Sequence, residues 1–117
     1  MGYNFYVTRR QNHFDEVGAE ITEEEWRTLV ERDPELTFND PHNPLLATWS
    51  GESRYPNPWF HHRHGSIETK NPDPPIIVKM LRIAAELHAK VQGDDCEVYH
   101  SPTETFFEDT SQRSNRP

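Results

Sequence analysis

The residues of this chain best suited to chemistry form the run Trp59-Phe60-His61-His62-Arg63-His64. Alternate side chains of a strand share a face, which puts His62 and His64 on one side and His61 with Arg63 on the other. Two imidazoles at that spacing can share a metal ion, but a site also needs a third ligand and oriented groups behind the ligands. His13, His42, His88, His100, Asp40 and Glu68 are the available donors, and only the tertiary fold can bring one of them near. Neither a cysteine pair nor a His-Glu-x-x-His spacing occurs. The pattern therefore reads as surface histidines on a strand.

Cys96 is a poor nucleophile on its sequence context. It follows Gly93-Asp94-Asp95 and precedes Glu97, and flanking carboxylates oppose the thiolate that does nucleophilic work. Asp94 and Asp95 are a possible acid–base pair, yet consecutive aspartates in a turn ordinarily cap backbone amides. Among only 5 glycines there is no Gly-x-Ser-x-Gly, no phosphate-cradling loop and no dinucleotide fingerprint. The expectation is a protein that is not an enzyme and needs no cofactor or metal.

These residues must be positioned by a thin domain. The chain has 117 residues, 10 of them proline, and only 32% are hydrophobic, with a mean hydropathy of −0.97. A chain of this length builds one small core, here helped by 3 Trp, 4 Tyr and 6 Phe that each bury a large area. No window has the roughly 18 apolar residues of a membrane span. Met1 to Val7 lacks the basic and apolar regions of a secretory signal, and the lone Cys96 cannot form an internal disulfide, which suits a reducing compartment. A cytoplasmic protein, a monomer or a weak dimer, is expected.

Local signals place the elements. Tyr3, Phe5 and Val7 alternate with polar neighbours as in a half-buried strand. Arg9 to Ala19 is a polar connection. Thr22 and Glu25 have capping-box spacing, Ile21 and Trp26 the spacing of a hydrophobic staple, and Trp26, Leu29 and Val30 a buried stripe, so a helix spans about 22–33. Short strands are expected over Leu45 to Ser50, Trp59 to His64 and Ser66 to Lys70, the last two joined tightly at Gly65. Asp73 is a natural N-cap before Pro74-Pro75. Ile76, Ile77, Met80, Ile83, Ala84 and Leu87 follow at helical spacing, which predicts a second helix over about 74–90. Val91-Gln92 and Glu97-Val98-Tyr99 read as strands around a Gly93-Asp94-Asp95 turn. The order argues for an α+β fold, an antiparallel sheet of about four to six strands against two helices. It forms one domain over 1–100, with a polar and mobile tail over 101–117.

Charge points to a partner. The chain carries 20 acids against 12 bases, a net −8. Between Glu20 and Glu35 the acids Glu20, Glu23, Glu24, Glu25, Glu31, Asp33 and Glu35 face only Arg27 and Arg32. Such a surface repels nucleic acid and speeds association with a basic protein. The residues suited to a docking surface are Glu23, Glu24, Glu31 and Asp40 for charge, with Trp49, Arg54, Tyr55 and Trp59 for packing. Trp49 or Trp59 also suits the core.

The set Lys70-Asn71-Pro72-Asp73, Lys79-Met80, Ile83-Ala84, Leu87, Val91-Gln92-Gly93-Asp94-Asp95 and Glu97-Val98-Tyr99 extends into the front half. There it is joined by Tyr6-Val7-Thr8-Arg9, Ile21-Thr22, Glu25-Trp26 and Asp33-Pro34-Glu35-Leu36. Together these resemble a family of small acidic bacterial proteins that look like immunity proteins of polymorphic toxin systems. The likeness covers about residues 3 to 99 and marks scaffold rather than activity. The family pattern usually has glycine where this chain has Cys96. The resemblance implies an immunity protein that binds and neutralises a cognate, basic toxin acting in the cytoplasm, with no membrane or nucleic acid involved. The alternatives are a small metal-dependent enzyme using the His61–His64 cluster and a general protein-interaction module.

Overall fold

The computed structural model describes residues 3–107. Its elements are β1 (Asn4–Thr8), α1 (Glu23–Arg32), β2 (Leu36–Phe38), β3 (Leu46–Trp49), β4 (Trp59–Arg63), β5 (Ser66–Lys70), α2 (Pro74–Leu87), β6 (Lys90–Gly93), β7 (Glu97–Tyr99) and β8 (Thr105–Phe107). The strands form one 8-stranded sheet in the order β2-β3-β4-β5-β1-β6-β7-β8, antiparallel throughout.

The α+β class with two helices is as expected, but the sheet exceeds four to six strands. The two additional strands are β2 and β8, each three residues long, and a three-residue strand is too short to show a period of two. Residues 101–107, expected to belong to a mobile tail, instead carry β8, which pairs with β7 through Glu97↔Phe107, Val98↔Phe106 and Tyr99↔Thr105. The rest of that expected tail, 108–117, lies outside the described residues.

Both helix starts follow from local chemistry. Thr22 accepts from the Glu25 amide at 3.1 Å and Glu25 accepts from the Thr22 amide at 3.0 Å, a complete capping box. Asp73 accepts from the Ile76 amide at 3.3 Å and is itself held by the Ser53 hydroxyl and the Arg54 amide at 2.8 and 2.9 Å. The second helix stops at Leu87, three residues short of the expected end, because His88 turns left-handed with φ 53° and Lys90 already belongs to β6.

The helices cover one face of the sheet. Phe5, Val7, Ala47, Trp49, Phe60, Ile67 and Val91 pack there against Trp26, Leu29 and Val30 of α1 and Ile76, Met80, Ile83 and Leu87 of α2. Each of the Val, Leu, Ile, Phe and Met side chains among them contributes about 1.5–3 kcal/mol on burial. Between these residues alternate the side chains of the other face. Pairing aligns Gln92, Tyr6, Glu68, His61 and Leu46 in one row across β6, β1, β5, β4 and β3.

Two turns hold residues in the left-handed region. His64 and Gly65 form the two-residue β4–β5 connection with φ 52° and 81°, the positive pair that suits a tight hairpin. A Cβ on Gly65 would stand 2.7 Å from Glu20 Cβ, so glycine is required there. Cys96 closes the β6–β7 turn with φ 70°, its amide donating a hydrogen bond to the Gly93 carbonyl at 3.0 Å. The left-handed conformation costs a non-glycine residue about 1–2 kcal/mol, against about 0.5–1 kcal/mol for glycine's extra unfolded-state freedom. Cys96→Gly should therefore stabilise the fold by about 0.5 kcal/mol, read as a higher urea midpoint with unchanged slope. A lower midpoint would mean that the packing of the thiol outweighs the backbone strain.

Candidate functional site

The helix-free face of the sheet is partly roofed by the segment between β1 and α1. The His13 ring stacks on Tyr6 with centroids 4.0 Å apart and planes at 5°. The His13 amide donates to Gln92 Oε1 at 2.7 Å. Asn12 and Asp15 close a small turn at 3.0 Å. Between this roof, the β4–β5 hairpin and the start of α1 lies a cleft of about 900 Å³. Its lining includes Tyr6, His13 and Phe14, the acids Asp15, Glu16, Glu20, Glu23 and Glu68, and the bases Arg10 and Arg63.

Arg10 is the buried base of the cleft, 8% exposed. Its Nη1 donates to the His64 carbonyl and its Nη2 lies 3.5 Å from Glu20. Its Nε is buried and has no hydrogen-bond partner among the described residues. Arg9, one residue away, points to the helices. It grips Glu25 with two bonds of 2.9 and 2.7 Å and donates from Nε to the Leu87 carbonyl at 2.8 Å. The Arg9 guanidinium holds the Glu25 carboxyl down at about 2. Arg9 thus ties the start of α1 to the end of α2.

The histidine run does not converge. His62 lies on the helix-covered face, not the surface, with Nε2 2.6 Å from the Ile21 carbonyl; a carbonyl only accepts, so that nitrogen carries the proton. His61 is on the opposite face, where burial and then the Arg63 charge push its pKa down. His64 has left the strand for the hairpin turn, which is why it does not share a face with His62 as an extended run would require. No three His, Cys, Asp or Glu side chains come together to hold a metal ion among the described residues.

Cys96 behaves as its neighbours dictate. Burial, then Glu97, Asp15 and Asp95, push its thiol pKa up. A second polar cluster surrounds the buried Glu97, whose carboxylate accepts from Tyr3 and Tyr99 hydroxyls at 2.6 and 3.0 Å and from the Asp95 amide at 3.1 Å. Burial and that carboxylate raise the Tyr99 phenol to about 12. Held protonated, the Tyr3 phenol pins the start of β1 to the β6–β7 turn, and the Tyr99 phenol steadies Glu97 within β7.

The residues expected to dock a partner divide into groups. Glu23 and Glu24 are exposed in the first turn of α1, Glu31 is exposed in its last. Asp40 is a local cap in the β2–β3 connection, accepting from the His42 amide at 2.9 Å and the Asn43 side chain at 3.1 Å. Trp49 is in the core rather than on a docking surface. It is 8% exposed, its indole N–H donates to Glu35 at 3.1 Å, and Gly51 lies flat on its ring, where a Cβ would stand 2.0 Å away. Arg54 lies over the Tyr55 ring, 5.1 Å from its centroid, and Trp59 is half-buried.

Two ends of the sheet are involved. The Ile21 amide donates to the Gly65 carbonyl at 2.8 Å, so α1 begins beside the β4–β5 turn. Ser53 and Arg54 hold Asp73, beyond the far end of β5. Four residues of β4 separate Trp59 from that turn, about 13 Å at the usual strand rise. Sequence reasoning missed Arg10, Phe14 and Val17, which sit in what reads as a polar connection. Two apolar residues in an otherwise polar, acidic stretch were the available signal, and Phe14 and Val17 are 63% and 81% exposed. No protein-family model, curated protein or solved structure matches this chain.

Proposed function

We propose that this protein is an immunity protein: it binds and neutralises a basic toxin in the bacterial cytoplasm by covering the toxin's positive surface with its acidic end. The observation that carries this reading is the uncompensated charge on α1. Glu24 and Glu31 are exposed and have no ion-pair partner among the described residues, and Glu23 reaches Arg27 only at 3.9 Å. Asp40 stands at the end where α1 begins, with Glu23 and Glu24, since β3 starts beside the β4–β5 turn, and Glu31 lies in the last turn of the helix. A one-signed field of this kind raises association rates about 10- to 1,000-fold over a neutral surface, and salt screens it.

The reading predicts that a neighbouring reading frame encodes a toxic domain, and co-expression with that domain tests it directly: growth should be restored and a stoichiometric complex recovered. The joint substitution Glu23→Lys, Glu24→Lys and Glu31→Lys should slow association at least tenfold at low salt and flatten its salt dependence. Unchanged kinetics in a variant that still melts cooperatively would remove the electrostatic part of the reading. A general protein-interaction module shares this surface and differs in outcome, because no toxin would then be inhibited.

A further inference from the structure

We infer that the cleft under the roof segment receives a basic segment of a partner polypeptide, an arginine or lysine side chain with its adjoining backbone, while Phe14 and Val17 pack on the partner's surface. The inference rests on the proposed binding function only for the partner being a protein. The ligand chemistry comes from the cleft.

Two unmet demands lie in the same place. The first is for positive charge. Of the lining carboxylates, Glu68 is paired with Arg63 at 3.2 Å and Glu20 with Arg10 at 3.5 Å. Asp15 and Glu16 have no ion-pair partner among the described residues, and Glu23 meets only the exposed Arg27, at 3.9 Å. No lysine or arginine occurs from Gln11 to Trp26. The second demand is for an acceptor: the nine-tenths-buried Arg10 has an Nε–H with none among the described residues, and an unmet buried donor costs about 1–3 kcal/mol.

A single ligand class meets both. A polypeptide brings a cationic side chain for the acids, and a backbone carbonyl for the Arg10 Nε–H, which is closed to solvent until the cleft widens around it. A free anion would face the carboxylates, and a bare cation would leave Arg10 unmet. A volume of about 900 Å³ is in the range of clefts that bury a small ligand, roughly 300–1,000 Å³. The stacked Tyr6 and His13 rings, with Phe14 set edge-on to His13 at 5.2 Å, supply faces on which a guanidinium can rest. Phe14 and Val17, the most exposed large apolar side chains near the cleft, then supply the apolar contact that a charged rim lacks.

The test is a titration of the isotope-labelled full chain, followed by amide shifts, with the capped peptide Gly-Arg-Gly-Arg-Gly and its glutamate counterpart. Saturable shifts confined to Tyr6, Leu45 and residues 10–23 and 62–68 are expected with the arginine peptide alone. Glu16→Gln together with Glu23→Gln, both exposed, should weaken binding at least fivefold. Glu52→Gln with Glu104→Gln, both exposed and outside the cleft, should change it less than twofold. Preference for the glutamate peptide, shifts spread evenly along α1, concentration-dependent shifts without any peptide (a second copy in the cleft), or no saturable binding would each overturn the inference. Because no toxin is used, the two ideas fail separately. Neutralisation without peptide binding in the cleft leaves only the α1 surface, and peptide binding without neutralisation leaves only the cleft.

Discussion

Trp26→Ala is expected to cost about 4 kcal/mol and to leave a population unfolded at room temperature. Trp26 is 0% exposed, the staple residue that joins α1 to the sheet. Truncating a buried tryptophan costs about 3–5 kcal/mol, because apolar contact is lost and the cavity does not close. The indole N–H also donates to the Leu45 carbonyl at 3.0 Å, but that carbonyl keeps the His62 amide at 3.2 Å, so the lost bond adds little to the cost of the cavity. A domain of this size has about 5–15 kcal/mol in total, and a mean hydropathy of −0.97 leaves little surplus apolar surface. Equilibrium urea denaturation should show the midpoint fall by more than half with unchanged slope. Trp26→Phe, which keeps most of the area and loses only the N–H, should lie between the two. A loss below about 1 kcal/mol for the alanine variant would mean that α1 is not fastened to the sheet at this point.

Lys79→Met should cost about 3 kcal/mol, even though methionine preserves the stem and is the better core residue. Lys79 lies in α2 with its side chain 7% exposed, and its ammonium reaches Asp33 at 2.7 Å and Glu35 at 2.8 Å. Asp33 is only 12% exposed, so removing the ammonium leaves a nearly dry carboxylate unpaired, which is where the penalty arises. Glu35, nearly half exposed, keeps its water and adds little.

A pH signature accompanies the mutation. Burial opposes the Lys79 charge, but the bonds to Asp33 and Glu35 raise its pKa overall. The Lys79 bond and then the Trp49 indole lower that of Glu35. A carboxyl whose folded pKa is depressed adds stability that is complete above its ordinary range and is lost as pH falls through the folded value. Wild-type stability should therefore fall on acidification below the usual carboxylate range, and the Lys79→Met curve should be flatter there. Denaturation midpoints at stepped pH values check this, and parallel curves would overturn it. The triangle also fastens the α1 C-cap and the entry to β2 onto α2, so Trp49 reports on it through Glu35.

The legible parts of this fold are those written in adjacent residues. Thr22 with Glu25, and Asp73 before Pro74, mark helix starts because caps are chemistry within one turn. The stripes of both helices and the alternation of β1 likewise need only a neighbour three, four or two positions away. The carboxylates around Cys96 were enough to give the direction in which its thiol moves, although burial proves the larger cause.

Partner choice and solvent exposure are different quantities, because they depend on residues far away in the chain. Leu36–Phe38 becomes β2 only because Trp49 and its neighbours lie alongside, and Thr105–Phe107 becomes β8 only because β7 offers an edge. His62 reads as a surface group and Trp49 as either a docking or a core residue; contact with the Ile21 carbonyl and with Glu35 accompanies the burial of both. Arg10 gains its place in the cleft from Gly65 and Glu20, brought against it by the hairpin turn. The sequence alone determined the helices, their caps, the acidic balance and the antiparallel α+β class. The width of the sheet, the face each histidine takes and the existence of a cleft were decided by long-range pairing, which no local pattern encodes.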